Sequence, residues 1–345
     1  MLVAPLNWGL GHATRCIPII HALIKANYEP ILASDGDALL LLQKEFPRLK
    51  SYSLPSYNIK YTRNGKNLRY KLLVQIPSVV SASKKEQKIV EQLIKKENII
   101  GIISDNRFGV YNKQIPSVYI THQLKVFSGI TTWITSKIHQ KIIKKFDECW
   151  IPDIKGEPNY SGELGHLEKH NLNLKYVGVL SRFTYQKLEI KYNLLVVLSG
   201  PEPQRSLLEN KLLVELKNYK GNVLFVRGVL AEKKIAASSS IEIVNYLLTK
   251  DLERAMNQSE IILARSGYST IMDLAVLGKQ AFFIPTPGQY EQEYLAEILN
   301  KKVIIPFSTQ DNFKIENFKE LKFFKGFKRE ESSIDLNFFN FFQRK

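Results

Sequence analysis

Leu6-Asn7-Trp8-Gly9-Leu10-Gly11-His12 closes an apolar run at 2–6 and opens a helical segment at 11–26, whose Cys16, Ile17, Ile20, Leu23 and Ile24 share one face. Leu198-Ser199-Gly200-Pro201-Glu202-Pro203-Gln204-Arg205 repeats the pattern after a run at 193–199. Both stretches pass from a strand through a glycine-bearing turn into a helix. Working outward, the first half holds further strands near 30–34, 99–104, 116–120 and 148–151. The second half holds strands near 222–227, 260–263, 280–284 and 303–305. Short β-rich runs alternating with longer helical segments are the mark of βαβ units and a parallel sheet. The fold class is therefore α/β, and the repeated opening predicts two similar domains facing each other across a cleft.

Length agrees, because 345 residues exceed the roughly 250–300 at which a single core stops growing. The expected organisation is a first domain over 1–180, a linker over 181–192, a second domain over 193–317 and a tail over 318–345. Ser181-Arg182-Phe183-Thr184-Tyr185-Gln186-Lys187 marks the linker by interrupting the apolar pattern. The tail interleaves Phe with Lys and Arg and reads as a terminal helix packing back on the protein. A composition of 44% hydrophobic and 24% charged residues excludes a disordered chain. Cys16 and Cys149 have no CxxC spacing, which argues against a disulfide framework and for a reducing compartment. The first residues are too few for a signal h-region, and no run reaches the roughly 18 apolar residues of a membrane span. A cytoplasmic chain is expected, with any membrane contact peripheral.

Gly9 and Gly11 sit where an open α/β sheet binds ligands, at the carboxyl end of the first strand. A dinucleotide fingerprint there would be supported by Asp35 but fails at its third glycine, where Thr14 stands, leaving NAD as a weaker alternative. His12, with a reference pKa of about 6.5, suits a general base on a substrate hydroxyl. The same position equally suits a helix-start histidine satisfied by backbone or solvent. Asp35-Gly36-Asp37 is read as a helix cap rather than a metal motif. His166 and His170 are read as a solvated helical face, since no third ligand is evident. In the second half, Arg265-Ser266-Gly267-Tyr268-Ser269-Thr270 is a polar turn that starts a helix, with Asp273 one turn inside. Such a helix start can hold phosphate oxygens. Pro285-Thr286-Pro287-Gly288-Gln289-Tyr290-Glu291-Gln292-Glu293-Tyr294 runs from a strand end into a helix and presents the amide and carboxylate groups that recognise sugar hydroxyls.

Arg265-Ser266-Gly267 with an acid at 273, the proline at 285, then Gln292-Glu293-Tyr294-Leu295-Ala296, together resemble the nucleotide-sugar signature of the family-28 type of GT-B glycosyltransferase. Gly11-His12 resembles that family's glycine-loop histidine. The likeness is strongest over 260–296. It implies two Rossmann-like domains, a UDP-sugar donor, inversion at the anomeric carbon, and no metal or other cofactor. His12 would be the base, with Gly9 and Gly11 making room for acceptor and diphosphate. Gly200, Arg205, Arg227 and Gly228 would contact the donor, with Leu248 and Thr249 near the uracil. Arg265, Ser266, Gly267 and Thr270 would lie at the diphosphate, Asp273 at the ribose, and Gln289, Gln292 and Glu293 at the donor sugar. On the acceptor side stand His122 and Gln123, in a stretch that lacks the family's middle Glu. Asp105, Asn106 and Arg107 there have no evident counterpart in the family's best-known member. Both departures bear on the acceptor rather than on the chemistry.

The formal charge of +16 calls for an anionic partner. Lys60, Arg63, Lys66, Arg69, Lys71, Lys84 and Lys85 fall between Ile59 and Lys85 with no acid among them, and 133–146 is a basic amphipathic helix. Both suit an anionic lipid surface where a lipid-linked acceptor lies, or simply a solvated basic face. Nucleic acid is disfavoured, because no RRM, KH or zinc-finger signature is present. The alternatives kept open are a GT-B-fold UDP-sugar epimerase and a nucleotide-sugar-binding protein without turnover.

Overall fold

The computed structural model describes residues 1–57, 68–229, 240–332 and 334–343. The chain divides into two compact units, one containing 1–57, Arg69–Leu180 and the C-terminal residues from Ser333, the other Ser181–Ser332. In the first, β1 (Leu2–Pro5), α1 (Gly11–Lys25), β2 (Ile31–Ser34), α2 (Gly36–Glu45), β3 (Ser51–Ser53), α3 (Leu68–Glu97), β4 (Ile102–Asp105), β5 (Ser117–Ile120), α4 (Thr132–Ile143), β6 (Glu148–Ile151) and β7 (Leu174–Tyr176) follow one another. Their sheet has the order β3-β2-β1-β4-β5-β6-β7, with every pairing parallel. The second unit contains β8 (Tyr192–Val197), α5 (Gln204–Glu215), β9 (Val223–Val226), β10 (Ile241–Val244), α6 (Thr249–Asn257), β11 (Ser259–Ala264), α7 (Tyr268–Leu277), β12 (Gln280–Phe283) and α8 (Tyr290–Lys301). Its order is β10-β9-β8-β11-β12, again all parallel. In both sheets the strand order reverses beside the first strand, β1 or β8, and ligands bind at such switch points, beyond the carboxyl ends of the strands.

Central strands β1, β4, β5 and β6 are buried at all four positions, as sheets covered on both faces require. The unforeseen strands, β3, β7 and β10, are all sheet edges. An edge strand needs no continuous apolar run, so Ser51-Tyr52-Ser53 and Leu174-Lys175-Tyr176 carry no strong signal. Conversely, no strand forms at 303–305. Val303 takes a left-handed backbone (φ 56°), and an isolated parallel bridge joins Phe307 to Phe283 of β12 instead.

Three further expectations are corrected. The expected linker belongs to the second unit and is tied to α6: Thr184 N–H donates to Glu253 at 2.8 Å and Gln186 N–H to Asn257 at 2.9 Å. The tail is two 3-10 segments rather than one helix. Phe318, in Ile315–Phe323, packs on Phe282 and Phe313 of the second core, so that unit runs past 317. Leu336–Gln343 sets Phe338, Phe339 and Phe342 around Trp150 of the first. Residues 166–170 are not helical. The His166 ring stacks on Tyr176 (4.9 Å between centroids) and its Nε2 lies 3.3 Å from Asp153.

Candidate active site

In the first unit the turn after β1 delivers His12 to the start of α1, while the parallel neighbour β4 ends on Asp105. His12 Nδ1 lies 2.7 Å from Asp105 Oδ1. An ionised carboxylate only accepts, so this contact places the ring proton on Nδ1 and leaves the Nε2 lone pair for a substrate. Asp105 is fully buried. Burial acts to raise its pKa, but the Arg15 guanidinium and then His12 outweigh it and hold the carboxyl well below the usual range. Asp105 thus stays ionised.

Arg15 was not anticipated. It sits three residues after His12 on the same helix face, donates through Nε and Nη2 to both Asp105 oxygens, and through Nη1 to His122 Nδ1 at 2.9 Å. His122, buried, therefore joins the cluster. Asn106, in a left-handed conformation (φ 57°), accepts from the Tyr119 hydroxyl at 2.9 Å. That hydroxyl also lies 3.0 Å from Nε2 of His139. Burial and then His122 lower the pKa of His139 to about 4, so its ring is neutral. Gln123 is half-buried beside His122.

Arg107 is corrected. It is wholly buried and donates to Glu86 at 2.6 Å, Asp35 at 2.8 Å and the Pro55 carbonyl at 2.6 Å. Its donors tie α3, β2 and the loop after β3 together, so no face remains for an acceptor. Asp35 stands at the N-terminal boundary of α2 as expected but makes no side-chain cap. Its carboxylate serves Arg107 and Asn7 instead.

In the second unit the turns after β8, β11 and β12 converge. Gly200 has φ 101°, and a Cβ there would meet Thr286 Oγ1 at 3.8 Å. Gln292 Oε1 accepts from Thr286 N–H at 2.8 Å. A Cβ on Gly267, at the start of α7, would meet only Thr270 Oγ1 at 3.9 Å and Gln292 Nε2 at 4.0 Å. The result is an open cradle at a helix N-terminus, without a side-chain cap or first-turn acid. Glu293 accepts from Gly288 N–H at 2.8 Å. Thr286 Oγ1 and Gln289 Oε1 are buried without hydrogen-bond partners among the described residues. Gly228 must be glycine, since φ is 71° and a Cβ would lie 2.2 Å from the Leu198 carbonyl oxygen.

Five donor-side residues are engaged within the protein. Arg265 is buried and donates to the carbonyls of Ile284, Pro285 and Gln204 and to Gln310. Burial with no acid beside it lowers its pKa to about 9. It is a clamp beneath the turns. Ser266 is buried and gives its hydroxyl to the Gln292 carbonyl at 2.7 Å, fixing α8 against α7. Asp273 accepts from the Ser181 hydroxyl at 2.6 Å and is buried. Arg205 pairs with Glu202 and Glu209, and Arg227 with the same Glu209 at 2.5 Å. Much of the charge expected to face a diphosphate is therefore compensated within the protein. Leu248 precedes α6 and Thr249 opens it, with Thr249 Oγ1 accepting from Arg182 at 3.4 Å. Among the described residues no group of three His, Cys, Asp or Glu is placed to hold a metal ion.

Two all-parallel α/β sheets, each with a glycine-bearing turn at its switch point, are the two Rossmann-like units of the GT-B fold. More particularly, residues 201–321 match the glycosyltransferase family 28 C-terminal domain. The chain is 24% identical over 265 residues to the UDP-N-acetylglucosamine–N-acetylmuramyl-(pentapeptide) pyrophosphoryl-undecaprenol N-acetylglucosamine transferase of Buchnera aphidicola, covering 72% of this chain and 70% of that protein. In structure it is similar to a spinosyn forosaminyltransferase (TM-score 0.61, 12% identity, 93% of this chain and 89% of that one). It is also similar to the glycosyltransferase VinC solved with DTDP (TM-score 0.56, 10% identity, 93% and 91%).

Proposed function

We propose that this glycosyltransferase moves a sugar from a UDP-sugar to a hydroxyl acceptor with inversion and without a metal ion, His12 acting as the base. The observation that carries the reading is the His12–Asp105 contact of 2.7 Å, which turns a helix-start histidine into an oriented base. Nε2 takes the acceptor's proton as its oxygen bonds to the anomeric carbon. The bond from that carbon to the diphosphate oxygen breaks on the opposite face, and UDP leaves with the electron pair. Its charge falls on the amides at the start of α7, at Gly267 and Thr270, a preorganised electrostatic role that a helix N-terminus supports. Gln292, with Gln289 and Glu293, addresses the donor sugar. The Buchnera relative's name makes N-acetylglucosamine the first sugar to test.

An anionic membrane surface is the proposed site of the acceptor. α4 turns Ser136, His139 and Ile143 inward and exposes Trp133 (72%), Ile134 and Ile138, with Ile130 just before it (96%). Lys137, Lys141, Lys144 and Lys145 are exposed beside them. A helix with its large apolar residues outward among lysines suits the headgroup boundary. Of the other basic stretch, residues 59–67 lie outside the described residues. No helix among the described residues is long and apolar enough to cross a membrane.

The test is UDP release from UDP-N-acetylglucosamine in the presence of a membrane-lipid extract. His12→Ala should cut turnover by about 10²–10⁴-fold while thermal stabilisation by UDP persists. Unchanged turnover in that variant would remove the base assignment.

A further inference from the structure

Arg15 is a buried cation, 4% exposed, at the centre of the dyad. Its Nε and Nη2 grip both oxygens of Asp105, its Nη1 donates to His122 Nδ1 at 2.9 Å, and Nη2 also stands 2.9 Å from His12 Nδ1. We propose that Arg15 is a positioning residue for the transfer, locking Asp105 in register with His12 and using its charge to keep the His12 ring neutral until the acceptor's proton arrives. The inference rests on the base role proposed for His12.

Geometry supplies the first half. Asp105 comes from β4 and His12 from α1, and only a planar fork that fits both carboxylate oxygens fixes the rotation of that carboxylate. With Arg15 in place, Oδ1 is held where it accepts the Nδ1 proton of His12. Charge supplies the second half. Because Nδ1 already donates to Asp105, the nearby Nη2 is not its hydrogen-bond partner but a positive charge against the ring. Among the described residues, the titratable and charged groups at His12 are Asp105 from β4 and Arg15 from its own helix, with His122 and Cys16 held against these two. Cys16 stays a neutral thiol, its pKa raised by burial and by Asp105, and His122 Nδ1 accepts from Arg15. One carboxylate is thus balanced by one guanidinium. A protonated His12 would add a second cation to a site with a single anion. Without Arg15, the buried carboxylate would draw a proton onto the ring and block the base.

The experiment compares full-length wild type with Arg15→Gln, Arg15→Lys and His12→Ala. Two readouts are followed across pH 4–9: UDP release from UDP-N-acetylglucosamine with the lipid extract, and the NMR titration of the histidine rings, His12 assigned by its loss in His12→Ala. Arg15→Gln should move both the acid limb of the rate profile and the His12 titration upward by about one pH unit or more and lower kcat at least tenfold, with KM for the donor unchanged. Arg15→Lys keeps the charge without the fork, so it should leave the titration near wild type and still lower kcat. It also serves if Arg15→Gln does not fold. A His12 titration unmoved in Arg15→Gln, or in Arg15→Lys a kcat equal to wild type, overturns the proposal while leaving His12 as base. Turnover surviving in His12→Ala overturns both readings.

Discussion

Buried charges decide what individual residues do here. Asp273 was expected at a ribose, but it is enclosed beside Ser181 and Arg182, and burial raises its pKa to about 6. Its native form therefore binds a proton more readily than the unfolded chain does between about pH 4 and 6, so stability falls as pH rises through that window. The shift corresponds to about 3 kcal/mol at most. Asp273→Asn keeps the acceptor for Ser181 and cannot ionise. It should be the more stable form above pH 6 by about 1–2 kcal/mol, with no gain at pH 4. Denaturant unfolding at four pH values checks this, and parallel pH dependences in the two proteins would contradict it. Arg265, Ser266 and Arg107 follow the same rule: each has donors suited to an anion or a hydroxyl, and each gives them to the scaffold. Sequence shows that a residue can bind an anion or a sugar. It does not show whether neighbours distant in the chain have already taken its donors.

At the scale of elements, the signals that held were those in which one segment's own pattern is enough. The start of α1 and the turn before α7 were read almost to the residue, because glycine, polar turn residues and helical period occur together in one stretch. Edge strands escaped for lack of an apolar run. The outward face of α4 could not be assigned either, because a helix with apolar and basic residues has two faces and only its packing says which is buried. Trp133→Ser with Ile134→Ser should cut sedimentation with phosphatidylglycerol vesicles at least fivefold, while both residues are exposed enough that stability changes by no more than about 0.5 kcal/mol. Binding of wild type should weaken as salt rises from 50 to 500 mM, since the lysines beside these residues act through screened charge. Vesicle binding indifferent to both changes would remove the docking role of α4.

The whole molecule is two units joined through a chain that leaves the first at Leu180 and returns to it after Ser332. Its last segment is part of the first unit's core: Phe342 is 3% exposed against Trp150, and a Cβ on Gly101 would lie 2.4 Å from its ring. Phe342→Ala should therefore cost about 3–5 kcal/mol, read as an earlier unfolding transition, although the residue stands about 160 positions beyond Leu180, where the preceding part of that unit ends. An unchanged transition would mean the segment is not needed for the first fold. The α/β class, the duplication and the place of both glycine turns were legible in the amino-acid order, because strand and helix periodicity and turn chemistry are local. The pairing of His12 with Asp105, the grip of Arg15 on both, and the loss of Arg107, Arg265 and Asp273 to the scaffold belong to the tertiary structure alone. Parallel pairing brings together residues some ninety positions apart, and burial then fixes which charges find partners and which are left to meet a substrate.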